Sequence, residues 1–183
     1  MIALLASFLI STNAPAAELV TTCRAMIPET VKIEGRVILR SRKGIVQLER
    51  DYRLERTNGV TRVDIDDETL AKTDVTKDDL ALAYLWWEDV SDDAERTGET
   101  VHGQRRRVID LKQGDRLVKA WIDCKTGALM QAEEHADGKA VRRLWGTRVK
   151  KFGERWMANV MEVETLGSGH RTKITVEKLD DER

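Results

Sequence analysis

The stretch Lys119–Gly146, KAWIDCKTGALMQAEEHADGKAVRRLWG, decides the fold. Two turn signals, DCKTG at 123–127 and ADGK at 136–139, separate three segments in which apolar and polar residues alternate. A period of two marks strands, and short Gly-bearing turns make neighbouring strands antiparallel. If Asp123 faces Ala128 and Ala136 faces Lys139, then Trp121 opposes Met130 and Met130 opposes Trp145. Carried across the next turn, at Phe152-Gly153, Trp145 opposes Val160 and Val149 opposes Trp156. One face then holds Leu117, Trp121, Met130, Trp145, Trp156 and Val160, with Val141, Val149 and Ala158. The other holds Val118, Ala120, Ile122, Leu129, Leu144, Met161 and Val163, with Gln131, Glu133, Arg142, Arg148 and Asn159.

Both faces are partly apolar, the Trp-rich one more so. A sheet with one wet face alternates more cleanly than this. The Trp-rich face therefore needs a cover, or it lines a cavity for an apolar ligand. Flat Trp and adaptable Met suit ligands of irregular shape. The plainer reading is an ordinary core. The alternation does not say which face is concave.

The same period extends in both directions. VKIEGRVILRSR from Val31, GIVQLERDYRLERT from Gly44 and, after the Asn58-Gly59 turn signal, VTRVDID from Val60 read as three strands. From Thr97 onward six more follow, giving about nine in one antiparallel sheet that must curl or close. Two helices are expected. AELVTTCRAMI, residues 17–27, has an i, i+3, i+4, i+7 apolar stripe and stops at Pro28. TKDD at Thr76–Asp79 has the capping-box form and starts a helix over 77–85.

The chain has 183 residues, 31 basic and 32 acidic, with a formal net charge of -1. That balance gives no argument for nucleic acid as a partner. The length suits a single domain. The start, MIALLASFLISTNAPAAE, places an apolar run at Ile2–Ile10 before the small-residue site Ala14–Ala16. This order marks a secretory signal peptide, and the run is too short to span a bilayer. Residues 1–16 are read as that signal and 17–183 as the domain. Export would allow Cys23 and Cys124 to pair, although spacing does not show that they meet. VTTC at Val20–Cys23 is a poor lipidation site, since Thr22 stands where a small residue is needed.

The C-terminal two-thirds resembles the LolA-like outer-membrane lipoprotein-sorting proteins. The resemblance runs from DDLALAYLWWEDV (Asp78–Val90) through GETVHGQRRRVIDLK (Gly98–Lys112) and RLVKAWIDCKTGALMQAEEHADGKAVRRLWG (Arg116–Gly146). It continues through GERWMANVMEVET (Gly153–Thr165) and ends at GHRTKITVEKL (Gly169–Leu179). The order of a D-L helix, a W-x-D…TG hairpin, a D-G-K hairpin, a G-x-x-W hairpin and a late His-Arg-Thr strand carries it. The resemblance implies an α+β, mainly β fold: a strongly curved antiparallel half-barrel whose open face is covered by short helices. It also implies a monomeric periplasmic carrier whose apolar cavity holds lipoprotein acyl chains or phospholipid, and which meets inner- or outer-membrane transfer proteins. The stretch between Val60 and Lys77 is short, which implies a sheet smaller by a strand or two.

No catalytic constellation, metal spacing or cofactor loop stands out. His102, His135 and His170 fall in separate segments, the first two read as surface residues and the third as structural. GSG at 167–169 reads as a turn, RRR at 105–107 as a solvated edge with a phospholipid headgroup contact as the alternative, and Asp66-Asp67 and Asp92-Asp93 as solvated turn acids. The expectation is therefore a carrier without enzymatic activity or cofactor, its ligand surface the Trp-rich face. The alternative is a non-catalytic envelope protein-interaction module with a self-filled core.

Overall fold

The computed structural model describes residues 15–180 except 94, 97–99, 102–103 and 154. Most of the expected signal segment, and His102, lie outside the described residues. The elements are α1 (Ala16–Ala25), β1 (Val31–Ser41), β2 (Val46–Thr57), β3 (Val60–Asp64), α2 (Asp67–Lys72) and α3 (Lys77–Ala81). A 3-10 turn (Ala83–Trp86) leads to β4 (Asp89–Asp92), β5 (Thr100–Val101), β6 (Gln104–Gln113), β7 (Arg116–Asp123) and β8 (Leu129–Ala136). The long strands β9 (Lys139–Phe152), β10 (Arg155–Thr165) and β11 (His170–Asp180) complete the chain.

Among the described residues the strands run in the order β3-β2-β1-β11-β10-β9-β8-β7-β6-β4, with β5 also on β6. All pairs are antiparallel, and all but two of the neighbouring pairs along this path join strands consecutive in the chain. The long-range seam is β1 on β11, from Lys32↔Asp180 to Ser41↔His170. It brings the N-terminal hairpins beside the C-terminal ones. The result is the expected strongly curved antiparallel half-barrel, open rather than closed and covered by short helices. The strands missing from the sequence count are short. β4 pairs along Asp89↔Lys112 to Asp92↔Ile109, and the segment read as one strand from Glu99 to Lys112 holds β5 and β6.

The N-terminal helix forms as its stripe requires: Leu19, Val20 and Cys23 are buried against the sheet. The second expected helix breaks. α3 begins with the anticipated capping box between Thr76 and Asp79, but Leu82 takes a left-handed φ of 50° and ends it. A continuous helix would place Leu80, Tyr84 and Trp87 on one stripe, because residues four and seven apart share a face. The break separates them, Leu80 into one apolar cluster and Tyr84, Leu85 and Trp87 into another. α2 was not foreseen. The Asp66 carboxylate, read as a solvated turn acid, accepts a hydrogen bond from the Thr69 N–H at 2.6 Å and caps it.

The register differs from the one the turns suggest. Asp123 N–H does meet Ala128 C=O, and Ile122 faces Leu129, but a bulge follows and Trp121 faces Gln131. A second bulge between Glu134 and His135 puts Gln131, not Met130, opposite Trp145. Trp145 then faces Glu162 rather than Val160, and Trp156 faces Lys151. The expected Trp121–Met130–Trp145 row does not form. A bulge adds one residue to one strand and changes which residues share a face.

Three further expectations are corrected. Asp93 is buried rather than solvated, its Oδ2 2.7 Å from Lys119 Nζ. Arg106, in the middle of RRR, is buried, and Arg107 pairs with Asp92. The His135 side chain is largely covered, with Nε2 3.5 Å from Glu133.

Candidate functional site: the helix-covered sheet face

One face of the sheet is apolar along almost its whole width, and the helices lie on it. Its first half is built on β6–β8 by Ile109, Leu111, Val118, Ala120, Ile122 and Ala132, under α1 and the 3-10 turn. Its second half is built on β1, β2 and β9–β11 by Val37, Leu54, Leu144, Val163 and Ile174, under α2 and α3. Seven residues that the alternation placed together, Val118, Ala120, Ile122, Leu129, Leu144, Met161 and Val163, all belong to this face. So does Arg142, whose neighbour two residues on is Leu144.

Arg142 stands between the two halves and reaches up to α3. Its guanidinium makes a forked ion pair with Asp79, donates to Glu134 at 3.1 Å, and donates to the Asp74 carbonyl at 3.0 Å. Burial alone would lower its pKa, but the Asp79 and Glu134 carboxylates more than offset this and hold it above the ordinary arginine value. Arg116 repeats the arrangement at the rim, 2.8 Å from Asp78 with its guanidinium 4.9 Å from the Trp87 ring. Arg24 of α1 donates to the carbonyls of Leu85 and, at 3.1 Å, Trp87. The cover is thus held at its polar ends by arginines, while its apolar sides rest on the sheet. Beside it, a cleft of about 320 Å³ opens between the β2–β3 turn and α3, with Arg56 stacked 4.0 Å over the Trp86 ring.

The sequence-predicted ligand residues lie elsewhere. Leu117, Trp121 and Trp145 point to the opposite face, because they alternate with Val118, Ala120 and Leu144. Val160 faces Thr175 on β11 and is buried. Trp121 is buried under Arg96, 5.6 Å above its ring, and Trp145 is half-buried under Arg171 at 4.9 Å. Met130 is the residue left over at the bulge, and Trp156 is 64% exposed. Cys23 and Cys124 are both buried and are not joined to each other. Among the described residues no group of three or more His, Cys, Asp or Glu side chains is placed to hold a metal ion. No helix among them is long and apolar enough to cross a membrane.

A family model described as "Uncharacterized protein" matches residues 54–182. The chain belongs to that family. Comparison with curated proteins gives no match. Solved structures are similar over nearly the whole chain. A LolA superfamily protein from Nitrosomonas europaea is 13% identical with a TM-score of 0.68, over 93% of this chain and 94% of that one. A domain ascribed to outer-membrane lipoprotein sorting from Vibrio parahaemolyticus is 13% identical with a TM-score of 0.66, over 90% and 91%. A DUF1329 family protein from Desulfovibrio piger is 14% identical with a TM-score of 0.64, over 93% and 94%. At these identities the likeness is one of fold, and the fold is LolA-like.

Proposed function

We propose that this protein is a non-enzymatic carrier of lipidated cargo in the cell envelope, and that its ligand surface is the helix-covered face. The observation that carries the reading is the construction of that face. A wide apolar sheet is roofed by helices of ten, six and five residues. Of these, α3 is tied to the sheet by the Arg116–Asp78 and Arg142–Asp79 ion pairs, and α1 is tied to the segment after the 3-10 turn by Arg24. Contacts of that kind exchange with water when a helix lifts. Each methylene of an acyl chain then laid on the exposed face contributes about 0.8 kcal/mol. The fold shared with a lipoprotein-sorting domain supports the same reading, as does the signal-peptide pattern of the first residues.

The full burial of Leu19, Val20, Leu85, Val163 and Ile174 favours a second reading. In it the core stays closed, and the protein is a non-catalytic interaction module of the envelope. The two separate in one experiment. The mature chain is expressed without detergent and examined by native mass spectrometry and organic extraction. Co-purified acyl species are expected for the carrier. A stable protein free of lipid, which also fails to take up an added diacyl lipopeptide, contradicts it and leaves the closed module.

A further inference from the structure

The face away from the helices carries a row of charges that alternates across six strands and then fails. Asp110 faces Lys119, Lys119 faces Glu133, Glu133 faces Arg143 and Arg143 faces Glu164. Two of these are close ion pairs, Lys119 to Asp110 at 3.0 Å and Arg143 to Glu133 at 2.7 Å, and Arg171 continues the row to Glu164 at 3.1 Å. The next step breaks the pattern, because Arg171 on β11 faces Arg40 on β1. Like charges directly opposite one another destabilise a sheet. Beside this pair lies a pocket of about 570 Å³, to which Arg42 and Lys173 add two more cations.

The pocket's carboxylates do not neutralise it. Glu162 and Glu164 are both held by Arg171, at 3.0 and 3.1 Å. Among the described residues Arg40, Arg42 and Lys173 make no ion pair, and Arg40 Nε is buried without a hydrogen-bond partner. Three glycines with positive φ, Gly44, Gly167 and Gly169, keep the adjoining turns bare. A Cβ on Gly169 would stand 2.6 Å from Arg42 Nε, so a side chain there would displace that guanidinium.

We propose that this pocket binds a phosphate-type oxyanion seated between Arg40, Arg42 and Lys173. A guanidinium presents a planar fork of donors that matches phosphate oxygens, and an ammonium adds a point charge. A doubly charged anion there offsets the Arg40–Arg171 repulsion. The site lies on the opposite face from the acyl surface, so it stands or falls separately from the carrier reading. The same chemistry is offered by soluble phosphates and by the phosphate of a lipid headgroup.

Calorimetric titration with inorganic phosphate and co-sedimentation with phosphatidylglycerol–phosphatidylcholine vesicles test the proposal and separate its sources. Arg40→Gln and Lys173→Gln are compared with the native chain, and Arg148→Gln serves as a remote control. For a soluble ligand, phosphate binds the native chain and affinity falls about tenfold or more in the first two variants only. For a headgroup, the vesicles retain the native chain and the control, and lose the two variants. Arg40→Gln should melt no lower than the native protein, which keeps a loss of binding from being a loss of fold. Failure of both probes overturns the proposal, as does binding that the control weakens equally.

Discussion

At the scale of single residues, two positions are set by what surrounds them. Gly35 lies at a bulge between β1 and β11, where an added Cβ would meet the Thr175 carbonyl oxygen at 1.9 Å and the Tyr52 ring at 2.8 Å. Gly35→Ala must therefore push the long-range seam apart, and a loss of about 1–3 kcal/mol in urea unfolding is expected. Cys23 is the second. Burial, only partly offset by a contact to the Leu129 backbone and by Arg24, raises its thiol from 9.0 to about 11. The unfolded chain then loses this proton first, so stability falls as pH rises from about 9 to about 11 and levels above that. Cys23→Ala should flatten that part of the pH profile relative to the native protein. At pH 8 a thiol reagent should reach Cys23 only when α1 lifts, which a labelling time course measures.

At the scale of elements, the central device is the tie between β9 and α3. Arg142 and Asp79 are both largely buried, so removing one leaves the other without its partner. Arg142→Met should cost about 3 kcal/mol. Hydrogen exchange over residues 77–86 should accelerate more than exchange in the β1–β11 seam. Equal protection in both forms would show that Arg142 does not hold the cover. Here the sequence was half legible. Alternation identified the strands, and the capping box located the start of α3. The left-handed turn at Leu82 was not legible, because leucine has no preference for that conformation and burial of Leu80 and Tyr84 in different clusters imposes it.

For the whole molecule, the antiparallel sheet followed from period and turns, and its half-barrel form from the family resemblance, but the register of the Trp-rich face did not. Turn residues specify where a register begins. They carry no information about a bulge several residues away, and the bulges beside Trp121 and Glu134 replaced Met130 by Gln131 in the row. The choice of face depends on where the helices land, which is settled by contacts far apart in the chain, such as Arg142 with Asp79 and Arg24 with Leu85. Large aromatic residues drew attention to the Trp-rich face, yet their rings serve there as floors for Arg96 and Arg171. The smaller Val, Ala, Ile and Leu of the opposite face make the surface under the helices. The measurement that tests this most directly is photo-crosslinking with a diacyl lipid carrying a diazirine in its chain, followed by peptide mapping. Labels are expected on Val118, Ile122, Leu144 and Val163 and on the undersides of α1 and α3. Labels confined to Leu117, Trp145 and Trp156, or none at all, would contradict the assignment of the helix-covered face as the lipid surface.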